Sequence, residues 1–153
     1  MAKTLIKLED EIEILRKREL ALKGDSDVIE VVCFEGSAVS VANRLEQLLL
    51  IVLKHVSDAS KNQNDEELFD QIAQNLPAWF PTKLRQKFGD EWEIADWLFW
   101  FLSSHEERRW RWHGIGNFRS NGFDVLVGSE DRPFAWEALR VGIICSGAEN
   151  AIL

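Results

Sequence analysis

The sequence predicts an α+β domain in which about five to six helices pack on a small antiparallel sheet. Several stretches repeat apolar residues with the 3.6-residue period of a helix, whereas one β-branched stretch and one pair of alternating stretches have the composition of strands. The length of 153 residues is that of one domain. We therefore expect a single domain over 1–153, with an N-terminal helix over 1–24, a mainly helical core over 25–109, and a hairpin followed by a C-terminal helix over 110–153.

The N-terminal segment has the pattern of an amphipathic helix that ends near Gly24. Its apolar residues fall at the a and d positions of a heptad repeat; these are Leu5, Leu8, Ile12, Leu15 and Leu22. Glu19 occupies one a position, and the repeat is short. We therefore expect this helix to dock on the domain's own core, with a homodimer through the same helix as the alternative.

The next stretch predicts one strand and the central helix. Residues 28–34 are rich in β-branched side chains, which indicates a strand. Residues 38–56 carry apolar side chains at helical spacing on nearly all faces, as expected for a helix at the centre of the core.

Two shorter helices and an aromatic turn are expected between residues 57 and 89. Asn64 or Asp65 can cap the first helix, and Pro77 stops it. Two prolines then enclose a turn that displays Trp79 and Phe80. A second helix over 82–88 ends at Gly89.

The C-terminal part combines an apolar helix, a hairpin and a last helix. Asp90 and Glu93 have capping-box spacing ahead of an apolar run that reaches Ser104. Asn121-Gly122 lies between two alternating segments, 110–118 and 123–127, which is a strong hairpin signal. The Gly114-Ile115-Gly116 stretch within the first segment predicts a bulge or a close approach of another backbone segment. Pro133 opens the final helix, which runs to Gly147.

Charge and composition narrow the possible partners. Asp and Glu number 26 against 18 Lys and Arg, a net charge of −8, which disfavours duplex DNA or RNA and favours a basic protein. The longest apolar runs are too short to span a bilayer, and no signal peptide is seen. Cys33 and Cys145 lie in separate apolar stretches, as buried free thiols of a reducing compartment would. We expect a cytoplasmic protein without a membrane span.

Five of the seven tryptophans lie between residues 92 and 112, where an apolar helix passes into an alternating Arg/Trp segment. If this segment is a strand, Arg109, Arg111 and His113 share one face, and Trp110 and Trp112 share the other. The cationic row could bind a partner's carboxylates or stack on bases. Alternatively, the tryptophans pack in the core while the arginines pair with the chain's own acids.

Acidic residues outside helix starts are further candidates for a partner surface. First-turn acids are explained by the helix dipole alone. Asp124 on the hairpin, together with Glu130 and Asp131 beyond it, has no such explanation. We therefore predict that these three carboxylates contact a partner.

No motif predicts catalysis, a metal or a cofactor. His105 and His113 are too irregularly placed for a known metal-ligand spacing, and neither a nucleophile motif nor a phosphate-binding loop occurs. An enzyme or small-ligand module would need a pocket between the hairpin and the Trp97/Trp100 helix. His105, Glu107 or His113 would then supply acid/base groups.

Small acidic α+β proteins that are rich in tryptophan and lack catalytic motifs have a profile typical of bacterial immunity proteins and other protein inhibitors. The leading hypothesis is therefore a protein that neutralises a basic, nuclease-like toxin by occluding its active site. The alternatives are the enzyme or ligand-binding module and a structural protein that assembles through its N-terminal helix.

Overall fold

The computed structural model is an α+β domain with helices packed on a four-stranded antiparallel sheet, so the predicted fold class is confirmed. It describes residues 6–18, 26–59, 63–102, 108–129 and 135–153. Within these ranges the helices are α1 (Leu8–Lys17), α2 (Ala38–Asp58), α3 (Asp65–Asn75), α4 (Trp79–Phe88), α5 (Ile94–Leu102) and α6 (Glu137–Cys145). The strands are β1 (Asp27–Val32), β2 (Trp110–Arg119), β3 (Gly122–Ser129) and β4 (Asn150–Ile152). No helix in the described ranges is long and apolar enough to cross a bilayer.

The sheet has the strand order β2-β3-β1-β4, with every neighbouring pair antiparallel. β1 is an inner strand that pairs with β3 on one side and with β4 on the other. The sequence did not predict β4, because three residues are too few to show an alternating pattern. The inner face of the sheet is fully apolar; it carries Ile29, Val31, Phe123, Val125 and Val127, all completely buried.

Helix α2 is the centre of the core, as predicted from its apolar pattern. Val41, Leu45, Leu48, Leu49 and Val52 are at most 1% exposed. The helix contacts α1, α3, α5 and α6 as well as both strands of the hairpin. The burial of this apolar side of α2 therefore joins the other helices to the sheet.

Helix α1 docks on the domain's own core. Leu8, Ile12 and Leu15 are buried against α2 and the sheet. The apolar face that the homodimer alternative would use is thus covered within the chain. The described helix ends earlier than Gly24, because Arg18 adopts a left-handed conformation with φ of 55°. Leu5, Glu19 and Leu22 lie outside the described residues.

The tryptophan cluster contributes mainly to the core. Trp97 stacks on Phe80 and Phe101 with ring centroids 4.6 Å apart in each case, and Phe101 meets Trp110 edge-on at 6.2 Å. The Trp97 indole N–H donates to the Ala138 carbonyl at 2.8 Å. Aromatic rings in such tilted and edge-on arrangements stabilise a core beyond their buried area alone.

Two expectations about local structure near this cluster are wrong. Phe80 is not displayed on a turn but is completely buried as part of α4. Pro81 does not prevent this helix, because proline is tolerated in the first turn. Helix α5 starts at Ile94 rather than behind an Asp90/Glu93 capping box. The Asp96 carboxylate instead accepts from the Glu93 backbone N–H at 3.2 Å.

The predicted hairpin is present, although Gly122 has a different role from the expected one. Neither Asn121 nor Gly122 has a positive φ, so the turn needs no glycine conformation. A Cβ at Gly122 would lie only 2.3 Å from the Val31 carbonyl oxygen of β1. Glycine is therefore required because β1 approaches the start of β3 closely.

The last helix begins later than predicted. Ala135 and Trp136 are not helical, and α6 starts at Glu137. The predicted opening at Pro133 lies outside the described residues. The Gly114-Ile115-Gly116 stretch itself pairs in regular register with β3, and the register shifts lie on either side of it, between Trp112 and Gly114 and between Gly116 and Arg119.

We predict that Gly122→Ala lowers the free energy of unfolding by about 1–3 kcal/mol, because the added methyl forces β1 and β3 apart. Urea denaturation measures this change. Ser120→Ala, an exposed change in the adjoining turn, is the matched control and should shift stability by less than about 0.5 kcal/mol. Equal stability of the two variants would contradict the close-approach explanation.

Candidate protein interface

A buried ion pair closes part of the edge of β2, the strand that carries the predicted site residues Arg111 and His113. Glu11 on α1 and Arg108 just before β2 have side chains that are 0% and 1% exposed. Two parallel hydrogen bonds of 2.6 Å join the guanidinium to the two carboxylate oxygens. This two-pronged arrangement is the strongest form of an Arg–carboxylate contact.

The same pair satisfies polar groups of the edge strand. The Trp112 backbone N–H donates to Glu11 Oε1 at 2.8 Å, and Arg108 Nη1 donates to the Trp110 carbonyl at 3.2 Å. The Arg108 guanidinium also lies 4.8 Å from the centre of the Trp110 ring, a cation–π contact. Because α1 supplies the carboxylate, this part of the edge is covered and cannot pair with another chain.

Arg111 does not belong to the exposed surface that its position predicted. It is only 5% exposed. Its guanidinium donates to the carbonyls of Trp110 and Arg108, and its Nε donates to the Ile6 carbonyl at 3.3 Å. These bonds attach β2 to the segment before α1. A partner therefore cannot reach Arg111 in this structure.

His113 is also buried, and the bulge explains why. Trp112 pairs with Val127 and Gly114 pairs with Leu126, so His113 is the extra residue of β2 and breaks the predicted alternation. Its ring lies over Gly128, where a Cβ would be 2.5 Å away. Its Nδ1 is 2.8 Å from the Ser26 hydroxyl oxygen. Burial lowers the pKa of His113 below its ordinary value of 6.5, and the nearby Glu11 charge partly opposes this.

The structure separates the remaining predicted site residues. Arg109 is exposed at the start of β2. Asp124 lies on the opposite half of the hairpin, on the outward face of β3, and is partly exposed. Glu130 and Asp131 lie outside the described residues. Trp110 and Trp112 pack in the core, as the alternative interpretation of this segment anticipated. The arginine that pairs with an acid in this region is Arg108, which lies outside the predicted row of Arg109 and Arg111.

The outward side of β1, with its neighbours on β3 and β4, forms an exposed surface that we call the open sheet face. Its rows follow the strand register: Leu126 beside Val28, and Asp124 beside Glu30 beside Ile152. Val28 and Ile152 are 46% and 50% exposed, and Glu30 is also exposed. These side chains point away from the core because residues alternate between the two faces of a sheet.

The open sheet face carries two like charges side by side. Glu30 and Asp124 are direct cross-strand partners, an arrangement that destabilises a sheet. Arg119 offsets one of them, since its guanidinium lies 3.0 Å from Asp124 Oδ1. Asn117 donates to the other Asp124 oxygen at 2.9 Å. Neither of these contacts involves Glu30, so the open sheet face keeps a negative potential.

A cleft of 360 Å³ lies between α4 and the segment before α5. Arg85, Asp90, Trp92 and Glu93 are among its lining residues. It is not the pocket that the enzyme alternative requires. Of the acid/base candidates for that pocket, His113 is buried beside β2, and His105 and Glu107 lie outside the described residues.

The cysteines are free and buried, as expected. Burial raises the pKa of Cys33, with a further contribution from Glu149, and raises the pKa of Cys145 to about 12. Both groups are therefore protonated thiols at neutral pH rather than thiolate nucleophiles. Over the described part of the chain, no three His, Cys, Asp or Glu side chains converge in a way that could hold a metal ion.

Comparison with protein-family models, with curated proteins and with solved structures finds no match to this chain.

Sequence reasoning missed two features of this region. The Glu11–Arg108 pair joins residues 97 positions apart, and Glu11 looked like any exposed acid of a first helix turn. The open sheet face was missed because β4 was not predicted. The alternation of Val28, Glu30 and Val32 in a strand was the available signal for an outward row.

We predict that Glu11→Gln lowers the free energy of unfolding by about 3–5 kcal/mol, because it leaves the Arg108 cation buried without a counter-charge. Chemical denaturation measures the loss. Glu13→Gln on the same helix, where the side chain is 47% exposed, is the control and should cost less than about 1 kcal/mol. Adding Arg108→Gln to Glu11→Gln should cost less than the two single losses combined. Additive losses would show that the pair is not coupled.

We predict that His113 makes folding stability fall as the pH is lowered. The pKa of His113 in the folded protein lies below the ordinary value of 6.5, so the unfolded chain takes up the proton at a higher pH than the folded protein does. The stability that the neutral ring contributes is therefore fully present above about pH 6.5 and is lost as the pH falls toward the pKa of the folded protein. Unfolding free energies of the wild type and His113→Asn, measured between about pH 7.5 and about pH 5.5, should show a shallower decline for the variant. Parallel profiles would refute this role of His113.

Proposed function

We propose that this protein is a protein-binding inhibitor that holds a basic partner protein against the open sheet face. The observation that carries the proposal is the exposed Glu30, which faces Asp124 across the strands and is not neutralised by the Arg119 contact to Asp124, with Val28 and Ile152 as apolar neighbours. Charged groups flanked by exposed apolar side chains are a combination suited to specific association.

The electrostatics favour a cationic partner. Like charges on neighbouring strands lower the stability of the free protein. A cationic partner that neutralises them would remove this repulsion, which would favour the bound state. Arg119 already contacts Asp124, which leaves Glu30 as the group that a partner's lysine or arginine would engage. The net charge of −8 would also speed the encounter with a basic protein. A second copy of this chain would bring the same acids together and is disfavoured.

The apolar neighbours would supply the contact area. Ile152 is the cross-strand neighbour of Glu30, and Val28 lies in the adjacent row, two residues from Glu30 along β1. Their burial against a partner would remove water from the charged centre, which strengthens the ion pair formed there. A stable complex of this kind buries on the order of 1,200–2,000 Å² in total.

We further propose that the partner is a nuclease-like toxin and that the protein acts as a bacterial immunity protein in the cytoplasm. A nuclease binds nucleic-acid phosphates with a cationic surface. The carboxylates of the open sheet face would compete with phosphates for that surface and so occlude the active site. The absence of a recognisable catalytic motif in the sequence is consistent with inhibition by binding rather than by chemistry.

The charge on Glu30 provides the test. The partner is captured from the native cells with the tagged protein, identified by mass, and purified. Glu30→Lys should raise the dissociation constant about 10–100-fold, because a carboxylate at the interface becomes a cation facing a cation. Glu66→Lys, which makes the same change at an exposed first-turn acid of α3, should leave affinity nearly unchanged apart from the long-range charge.

Two further readouts make this experiment decisive. Glu30→Lys should keep or raise folding stability by about 0.2–1 kcal/mol, since it creates an opposite-charge pair with Asp124. The captured partner should degrade DNA, and the wild type should block this at equimolar amounts while Glu30→Lys should not. An acidic partner, or equal affinities of the two charge variants, would refute the proposed site. A basic partner without nuclease activity would refute only the toxin assignment.

A further inference from the structure

We infer that Phe34 and Phe118 are the apolar anchors by which the basic partner is held, and that each ring enters an apolar pocket on that partner. The inference rests on the proposed function. We call these two residues the phenylalanine tip, because they lie beside the hairpin turn. They are 62% and 52% exposed, and few large apolar side chains in the described ranges exceed them in exposure.

The turns that carry the two rings are hydrogen-bonded to each other. The Cys33 backbone N–H donates to the Asn121 carbonyl at 2.7 Å, and the Gly36 N–H donates to the Ser120 carbonyl at 2.8 Å. The Ser37 hydroxyl donates to the Phe34 carbonyl at 2.6 Å. Phe34 and Phe118 are far apart in sequence but are thus placed at one end of the sheet. Little backbone freedom remains to be lost when a partner binds there.

A second bulge of β2 directs Phe118. Asn117 adopts a left-handed conformation with φ of 53°, in the interval where the β2–β3 register shifts between Gly116 and Arg119. The side chain of Asn117 donates to Asp124, and its carbonyl accepts from Arg119 at 2.8 Å. Bulges commonly re-aim a side chain, and a left-handed non-glycine residue is costly unless its surroundings hold it.

The phenylalanine tip lies at the end of the open sheet face. Because Phe118 packs on Phe123 of the inner face, a partner that contacts both the tip and the open sheet face has to wrap around this end of the sheet. Val32 of that face pairs with Gly122 at the hairpin turn, and Cys33 directly follows Val32 and precedes Phe34. Asp124, which belongs to the face, holds the Asn117 bulge that precedes Phe118. The exposed Glu35 next to Phe34 continues the acidic character of the face. Aromatic anchors beside complementary charge are the usual arrangement of interface hot spots.

Site-specific photocrosslinking tests the inference in the full-length protein. A benzophenone side chain replaces Phe34, Phe118, the face residue Val28, or the control residue Phe99 of α5, which is 51% exposed. After irradiation in the native cells, positions 34, 118 and 28 should give the same adduct with one basic protein, and position 99 should not. An adduct from position 28 alone would overturn the anchor role and leave the proposed function standing. The absence of that adduct at all of positions 28, 34 and 118 would overturn both.

Affinity measurements then show whether the rings are energetically important. With the partner identified by its adduct, Phe34→Ser and Phe118→Ser should each raise the dissociation constant about 10–100-fold, as expected for truncated hot-spot aromatics. Phe99→Ser should change it less than about 3-fold. Phe118 packs on Phe123 with ring centroids 5.6 Å apart, so Phe34→Ser tests the tip without loss of that contact. If Phe34→Ser binds the partner as tightly as the wild type does, the inference is overturned.

Discussion

The buried pair of Glu11 and Arg108 is the interaction on which the arrangement of this domain depends. One carboxylate binds a guanidinium and a backbone N–H of β2, and so attaches α1 to the edge of the sheet. Removing two charges from water is costly, and the paired hydrogen bonds between the guanidinium and the carboxylate offset much of that cost, although the Arg108 Nε is buried without a partner. The pair therefore selects one position of α1 relative to β2, because displacement of the helix would leave both charges buried and unpaired.

This constraint gives the two sheet edges different properties. The part of the β2 edge around Trp110 and Trp112 is covered by α1. The Trp110 carbonyl accepts from Arg108 and Arg111, and the Trp112 N–H donates to Glu11. The β4 edge is only three residues long, and the Ala151 N–H is bonded to the Asn150 side chain. Short or capped edges discourage strand addition by other chains. Recognition of a partner is therefore better supported by the open sheet face than by either edge.

The core and the proposed partner surface contain different aromatic residues. Trp97, Trp110 and Trp112 are completely or almost completely buried and hold α4, α5 and the hairpin together. The exposed phenylalanines 34 and 118 are not part of that packing layer around Trp97. A surface substitution at the tip would consequently alter binding with little effect on the core, whereas changes in the tryptophan cluster would act first on folding.

The sequence by itself determined the fold class, the central helix α2, the hairpin and the docking side of α1, because these depend on local periodicity and on turn chemistry. It also led to the proposal of a basic partner, since net charge is a property of composition. Only the tertiary structure decided which polar residues are accessible. Arg111 and His113 have the strand spacing of an exposed row, yet a one-residue bulge and the segment carrying Ile6 bury them. Likewise, Glu30 and Asp124 are cross-strand partners because of the β1–β3 register. That register pairs residues far apart in sequence, and no local sequence pattern reveals such a pairing.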